Sequence, residues 1–264
     1  MKPKALVLLA HGTNRDQDVA EALRLCGAEA EIIPLNSLHA GKQHWSDFQM
    51  LVLPGGFSYA DALGAGKLLA IDMQSYFTDE IQKFVMVGKP VIGICNGFQA
   101  LVKAGILPGE NNEQIEESRE ERTTLTFNAR GHFECRWVIL RPASQKCVWT
   151  KGLTELIECP IAHGEGNFQV SQSSLLSTLA SHDQIALVYV HLDDTPANGE
   201  YPANPNGSLL DIAGLCNLQG NVLGLMPHPE NHIHGWQHPQ WRRGVQRNSG
   251  LALFMNGVKY AEDA

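Results

Sequence analysis

The sequence predicts one α/β domain over residues 1–264, with a central, mostly parallel sheet, helices on both faces and added antiparallel strands. Three observations carry that expectation. Apolar runs without polar alternation recur through the first hundred residues, the pattern of strands buried on both faces. Segments of helical spacing lie between them. Glycine-rich breaks follow several of the runs, where a chain leaves the end of a sheet.

The elements follow in order. "KALVLLA" (4–10) is an apolar strand, "DVAEALRLCG" (18–27) has helical spacing and a glycine stop, and "AEAEIIP" (28–34) is strand-like. "MLVLPGG" (50–56) is apolar and breaks at Pro-Gly-Gly; 67–87 reads as one long helix closed by Gly88. "PVIGIC" (90–95) is a buried strand and "NGFQALVKAG" (96–105) a helix ending in glycine. The second half changes character. Strand-like stretches at 133–141, 157–162, 184–192, 209–216 and 221–226 surround a single clear helix near 172–181. Turn residues crowd "TPANGEYPANPNGS" (195–208). No linker composition marks a domain boundary. Residues 110–121 carry six glutamates and one arginine and read as a solvated face.

Bulk properties exclude several classes. A length of 264 residues with 44% apolar content suffices for a large core. A net charge of −8 argues against a nucleic-acid partner, which calls for a basic stripe. No apolar stretch is long enough to span a membrane, and "ALVLLA" (5–10) is too short for a signal-peptide core. Six scattered cysteines without a CxxC pair fit a reduced cytoplasm better than a disulfide framework. His232, His234 and His238 share a short tail, but with no cysteine or acidic ligand among them no metal site is expected; a surface loop packing Trp236 and Trp241 is.

Three short stretches carry chemistry. In "GICNGFQAL" (93–101), Cys95 stands between Gly93 and Gly97 where an apolar strand runs into a helix. A nucleophile on such a turn is exposed above the sheet, and small neighbours relieve the crowding. The helix starting near Asn96 turns its free N–H groups towards the sulfur, which favours thiolate, and the Asn96 N–H is placed to bind an oxyanion. In "GLMPHPEN" (224–231), His228 and Glu230 are two apart in a proline-fixed extended segment, so Glu230 can hold the imidazole in one orientation. In "LPGGFSYAD" (53–61), adjacent glycines after a strand let backbone N–H groups turn inward as a second oxyanion donor. All three stretches sit at strand ends, where α/β sheets place ligands.

In this order, GGFSY, GxCNGFQ and MPHPE resemble a class I, triad-type glutamine amidotransferase. More narrowly, "FECRWV" (133–138), "IAHGEGNF" (161–168), "NPNGS" (204–208) and "GNVLGLMPHPE" (220–230) resemble the glutaminase subunits of phosphoribosylformylglycinamidine synthases, over almost the whole chain. The resemblance implies a flavodoxin-like fold and a set of roles. Cys95 attacks the side-chain amide of glutamine, His228 with Glu230 moves the protons, and Gly56 or Phe57 with Asn96 holds the oxyanion. Gly55, Gln99, His163, Gly164 and Glu165 fall at glutamine-binding positions. It further implies no cofactor in this chain, ATP and Mg on a separate synthetase subunit that receives the ammonia, and a small accessory subunit in the same complex. The chain departs from the usual pattern at Ala60, Ala62 and Gly64, where glycine, tyrosine and arginine are customary, and at Asn231, where arginine is. Those changes keep open a glutaminase serving a different synthetase. A non-catalytic partner-binding paralogue would not need Cys95, His228 and Glu230 together, and a simple cysteine hydrolase would not need the HPE segment.

Overall fold

The computed structural model describes residues 2–109, 123–245 and 249–263; the acidic 110–121 stretch lies outside them. Among the described residues, eleven strands and seven α-helices follow in order: β1 Lys4–Leu9, α1 Asp16–Leu25, β2 Glu29–Pro34, α2 Leu35–His39, β3 Met50–Leu53, α3 Lys67–Tyr76, α4 Thr78–Met86, β4 Val91–Ile94 and α5 Asn96–Lys103. The second half adds β5 Thr123–Thr126, β6 Glu134–Pro142, β7 Ile157–His163, β8 Asn167–Val170, α6 Ser174–Ser181, β9 Ile185–Val190, β10 Ile212–Cys216, β11 Val222–Leu225 and α7 Leu251–Asp263.

Nine strands form one sheet in the order β2-β1-β3-β4-β11-β10-β9-β6-β7. The five strands from β2 to β11 pair in parallel, and every later pair is antiparallel. The parallel strands are the continuous apolar runs: Met50–Leu53 and Val91–Ile94 are buried at every residue. From β1 the chain steps outward to β2, then back past β1 to β3 and β4. With right-handed crossovers, α1 therefore covers one face and α3, α4 and α5 the other. The C-terminal α7 packs beside α1.

The reversal at β1 makes a topological switch point, the place where open α/β sheets hold ligands. The loops after β1 and β3 are laced together. Thr13 bridges to Gly56, Asn14 N–H donates to the Gly55 carbonyl at 3.3 Å, and Phe57 N–H donates to the Gly12 carbonyl at 2.9 Å.

The antiparallel half does not continue flat. The ladder between β9 and β10 slips around Ile212–Leu215, and such bulges bend a strand. β7, four strands from β11 along the sheet, returns to touch the segment that follows β11: His228 N–H donates to the Pro160 carbonyl at 2.8 Å. Two sheet ends far apart in the ladder thus meet above β4.

Several expectations needed correction. The stretch 67–87 is two helices broken at Phe77, whose φ of −134° is not helical. β5 and β8, which pair as a small separate ribbon, and the terminal α7 had no clear sequence signal. The tail is inverted relative to its reading: Trp236 and Trp241 are exposed while His232 and His238 are buried. Both of those rings meet Trp137 edge-on, and His238 pairs with Glu158 at 3.0 Å. Among the described residues no three potential metal ligands gather.

The glycines around Cys95 are fixed by packing. A Cβ on Gly97 would lie 2.0 Å from the Leu53 carbonyl oxygen, and one on Gly93 would lie 2.8 Å from the Gly97 carbonyl. Helix α5 therefore rests backbone-to-backbone on β3 and β4. Gly97→Ala must lift the helix; the expected cost is about 3 kcal/mol, at the upper end for overpacking. Thermal unfolding checks this, with the midpoint falling by about 6–12 °C. An unchanged midpoint refutes the close approach.

Candidate active site

Cys95 stands between β4 and α5 with φ 50° and ψ −105°, a conformation side-chain-bearing residues rarely adopt. Its N–H is held by the Leu225 carbonyl at 2.8 Å, so β11 pins the turn from the next strand. The strain has a geometric result. It throws the side chain out of the strand direction, over the sheet end, where the sulfur lies 3.8 Å from the Ala162 carbonyl of the returning β7.

His228 reaches the same place from the end of β11. Its side chain hydrogen-bonds with Cys95, and its Nδ1 lies 2.7 Å from Glu230 Oε1. Both His228 and Glu230 are buried. Burial by itself disfavours a charged ring, but the Glu230 carboxylate and the Cys95 sulfur outweigh it and push the His228 pKa up to about 10. Since Glu230 is fully buried and its other oxygen lacks a hydrogen-bond partner among the described residues, the imidazolium is its main compensation. The nearest wall is Gly55, where a Cβ would sit 2.6 Å from the His228 ring. Gly55 is thus a seat for the imidazole.

Behind the sulfur, Asn96 ties the elbow to the β3 loop. Its Oδ1 accepts from Ser58 N–H at 3.1 Å, and its Nδ2 donates to Asp61 Oδ1 at 3.1 Å and Gln99 Oε1 at 3.2 Å. Gln99 in turn donates to the Glu165 carbonyl at 2.6 Å. The Glu165 carboxylate lies 3.7 Å from the Lys103 ammonium and accepts from Ala65 N–H at 3.3 Å. Burial, then the Glu165 charge, raise the Asp61 pKa above its usual value.

His163, at the end of β7, is buried. Asn128 Oδ1 accepts from Gly166 N–H at 3.0 Å and lies 3.1 Å from His163 Nδ1, so Nδ1 carries the ring proton and Nε2 keeps a lone pair with no partner among the described residues. Burial, then the charge on His228, push the His163 pKa down to about 3, so this ring is neutral. A buried nucleophile, a charged imidazole and a neutral imidazole are therefore brought together. That arrangement suits acyl transfer, in which a thiolate attacks a carbonyl and a fixed acid protonates the leaving group.

Comparison with known proteins agrees with this chemistry. Residues 2–261 match the model of a CobB/CobQ-like glutamine amidotransferase domain. The chain is 57% identical to phosphoribosylformylglycinamidine synthase subunit PurQ of Treponema denticola, over 98% of this chain and 99% of that protein. It is 42% identical to the protein of the same name from Dehalococcoides mccartyi, covering 98% of each. The chain belongs to the glutamine amidotransferase family. Among solved structures of the family, that of PurLQS from Thermotoga maritima contains a chain with 31% identity and a TM-score of 0.74, covering 98% of this chain and 99% of that one. A second amidotransferase from the same organism, 12% identical with a TM-score of 0.56 and full coverage of both chains, shares the fold alone.

Not every residue flagged as an amidotransferase site faces the sulfur freely. Cys95, His228 and Glu230 come together, and Gly55 abuts the His228 ring. Gly56 N–H has no hydrogen-bond partner among the described residues, whereas Phe57 N–H is occupied by the Gly12 carbonyl. The Gln99 carboxamide is spent on Asn96 and Glu165, so it braces the 164–166 strip. Gly164 accepts through its carbonyl from Asn128 N–H at 2.9 Å.

Asn128 is the residue sequence reasoning missed: besides its contacts with His163 and Gly166, its Nδ2 donates to the His163 carbonyl at 2.8 Å. It lies in "TFNARGHF" with no motif to mark it. "NPNGS" is a brace for the same strip: Ser208 Oγ accepts from Phe168 N–H at 3.0 Å, and the Asn206 carbonyl accepts from Ala129 N–H at 2.9 Å.

Proposed function

We propose that this chain is the glutaminase subunit of a phosphoribosylformylglycinamidine synthase, with Cys95, His228 and Glu230 as its catalytic set. The observation that carries the proposal is Cys95 on its strained turn, hydrogen-bonded to a histidine that a buried carboxylate keeps charged. The Cys95 thiolate attacks the side-chain carbonyl carbon of glutamine. Negative charge moves to the carbonyl oxygen, where the N–H groups of Gly56 or Phe57 and of Asn96 receive it. His228 gives its proton to the amide nitrogen, the C–N bond breaks, and ammonia leaves a thioester on Cys95. Water then attacks the thioester, His228 takes the water proton, and glutamate departs with Cys95 restored. Glu230 holds the ring and offsets its charge throughout. Gly55, Gln99, His163, Gly164 and Glu165 shape the space for the amino-acid end of glutamine, Gln99 by holding the strip in place. ATP and Mg act on the synthetase subunit, which takes the ammonia in the cytoplasm, with a small accessory subunit in the complex.

A glutamine-like diazo-ketone alkylator tests the site. It should label one cysteine, and peptide mapping should place it on Cys95. Label on Cys26, Cys135 or Cys216 overturns the assignment.

The bond from Phe57 N–H to the Gly12 carbonyl supports a gate. Gly56 has φ 145°, which only glycine tolerates, so the 56–57 peptide can rotate without side-chain strain. Rotation would break that bond and present the Phe57 N–H as an oxyanion donor. One such donor is worth about 2.7–4 kcal/mol, a factor of about 10²–10³ in rate. Synthetase binding that favours the rotated state should therefore raise glutamate release by about that factor. The assay compares the purified chain alone and with the synthetase, ATP and acceptor. Full turnover alone, unchanged by the synthetase, points to a free-standing glutaminase. Activation by another ammonia-using synthetase instead would support the reading that Ala60, Ala62 and Gly64 suggest.

A further inference from the structure

A cavity of about 650 Å³ opens against α2, α3 and α4, lined by none of the residues that gather around Cys95. Its floor is aromatic: Trp45, Phe77 and Phe84 are buried there, with Trp45 and Phe77 ring centres 5.5 Å apart. His39 and Tyr76, both exposed, meet edge-on at 4.6 Å on one side. Lys83, Lys89 and His44 complete the wall, and Glu80 is the one carboxylate in the lining.

Two features define what this cavity suits. The first is charge. In a chain whose net charge is −8 with its histidines neutral, a lining of two lysines against one carboxylate, with two imidazoles beside them, runs opposite to the composition. Lys89 is anchored, donating to the Phe48 carbonyl with its ammonium 4.8 Å from the Phe84 ring centre, so its charge is fixed beside the aromatic floor. The Lys83 ammonium and the rings of His39 and His44 make no hydrogen bond or ion pair among the described residues, which leaves them available to a ligand. The second is shape. A space of this volume with several ring faces and a few polar groups at its mouth takes a flat molecule of drug-like size.

We propose that this cavity is a binding site for a nucleoside monophosphate, the base lying among Trp45, Phe77 and Tyr76 and the phosphate meeting Lys83 and His44. Flat aromatic ligands without charge leave the cations unused, and phosphate alone leaves the aromatic floor unused; a nucleotide engages both. Nothing in the proposal depends on glutamine chemistry at Cys95.

Isothermal titration of the full chain with AMP, GMP and UMP tests it, with adenosine and ribose 5-phosphate as half-ligands. At least one monophosphate should bind with a Kd on the order of 10 µM to 1 mM, as expected for a ligand of this size, and each half-ligand at least about tenfold more weakly. Lys83→Glu and Tyr76→Ala change exposed side chains, so both variants should fold and retain Cys95 labelling. Each should weaken nucleotide binding by about tenfold or more, the loss of one charge-assisted contact or one stacking face. Absence of binding by all three nucleotides at millimolar concentration overturns the proposal. So does binding that the two variants leave unchanged, which locates it elsewhere, or ribose 5-phosphate binding as well as the nucleotides, which removes the aromatic floor from recognition.

Discussion

Cys95→Ser should lower glutamate release by at least about 10⁴-fold, while leaving the fold intact. Serine matches cysteine in size, and the backbone at this position is held by the Leu225 carbonyl and by Gly93 and Gly97, none of which the substitution touches. The loss is chemical. A serine hydroxyl has a pKa far above that of a thiol, so a nucleophilic alkoxide is scarcely populated. The surroundings make this worse. In the serine variant the Glu230 carboxylate, which raises the His228 pKa in the parent, still favours the charged ring, a poor base for extracting a proton from a hydroxyl. The site is tuned to a thiolate–imidazolium pair. Free ammonium salts should still support the synthetase with the serine variant bound, which separates loss of ammonia production from loss of assembly. Glutamate release within tenfold of the parent would refute Cys95 as the nucleophile.

The parallel half of the fold was legible because strands buried on both faces must be apolar throughout, and 50–53 and 90–94 say so residue by residue. The elbow was legible for a related reason: Gly93 and Gly97 stand where backbone meets backbone, and only glycine satisfies that contact. β5 and β8 were not, being four residues each and partly polar. α7 escaped because Gly257 interrupts its pattern; the glycine is there to admit Trp149, whose ring would lie 2.1 Å from a Cβ.

The curl of the antiparallel half left no local trace. It brings Pro160 to His228 and Ala162 to Cys95 across almost seventy residues of sequence, and with it the place of His163 beside the reacting pair. The tail misled because histidine beside tryptophan reads as surface. Here Glu158 and Trp137 give His232 and His238 their partners, so the rings can be buried.

The roles of His228 and Glu230 differ, and two substitutions should separate them. His228→Ala removes the proton carrier and should cost about 10⁴-fold or more in glutamate release by the complex. Glu230→Gln keeps the shape and one acceptor but removes the charge, and should cost less, on the order of 10²–10⁴-fold. The pH profile distinguishes a positioning carboxylate from a structural one. His228 must be protonated to release ammonia, and its pKa lies near 10, so activity should hold through neutral pH and fall as pH rises through about 10. Burial lowers that pKa and Glu230 raises it; with the carboxylate gone, burial gains and the alkaline limb must move to lower pH. Glutamate release measured from pH 6 upward in parent and variant checks the sign. If Glu230→Gln lost activity while its alkaline limb stayed in place, the carboxylate would be bracing the chain instead of charging the ring. A fully active Glu230→Ala would remove it from the mechanism altogether.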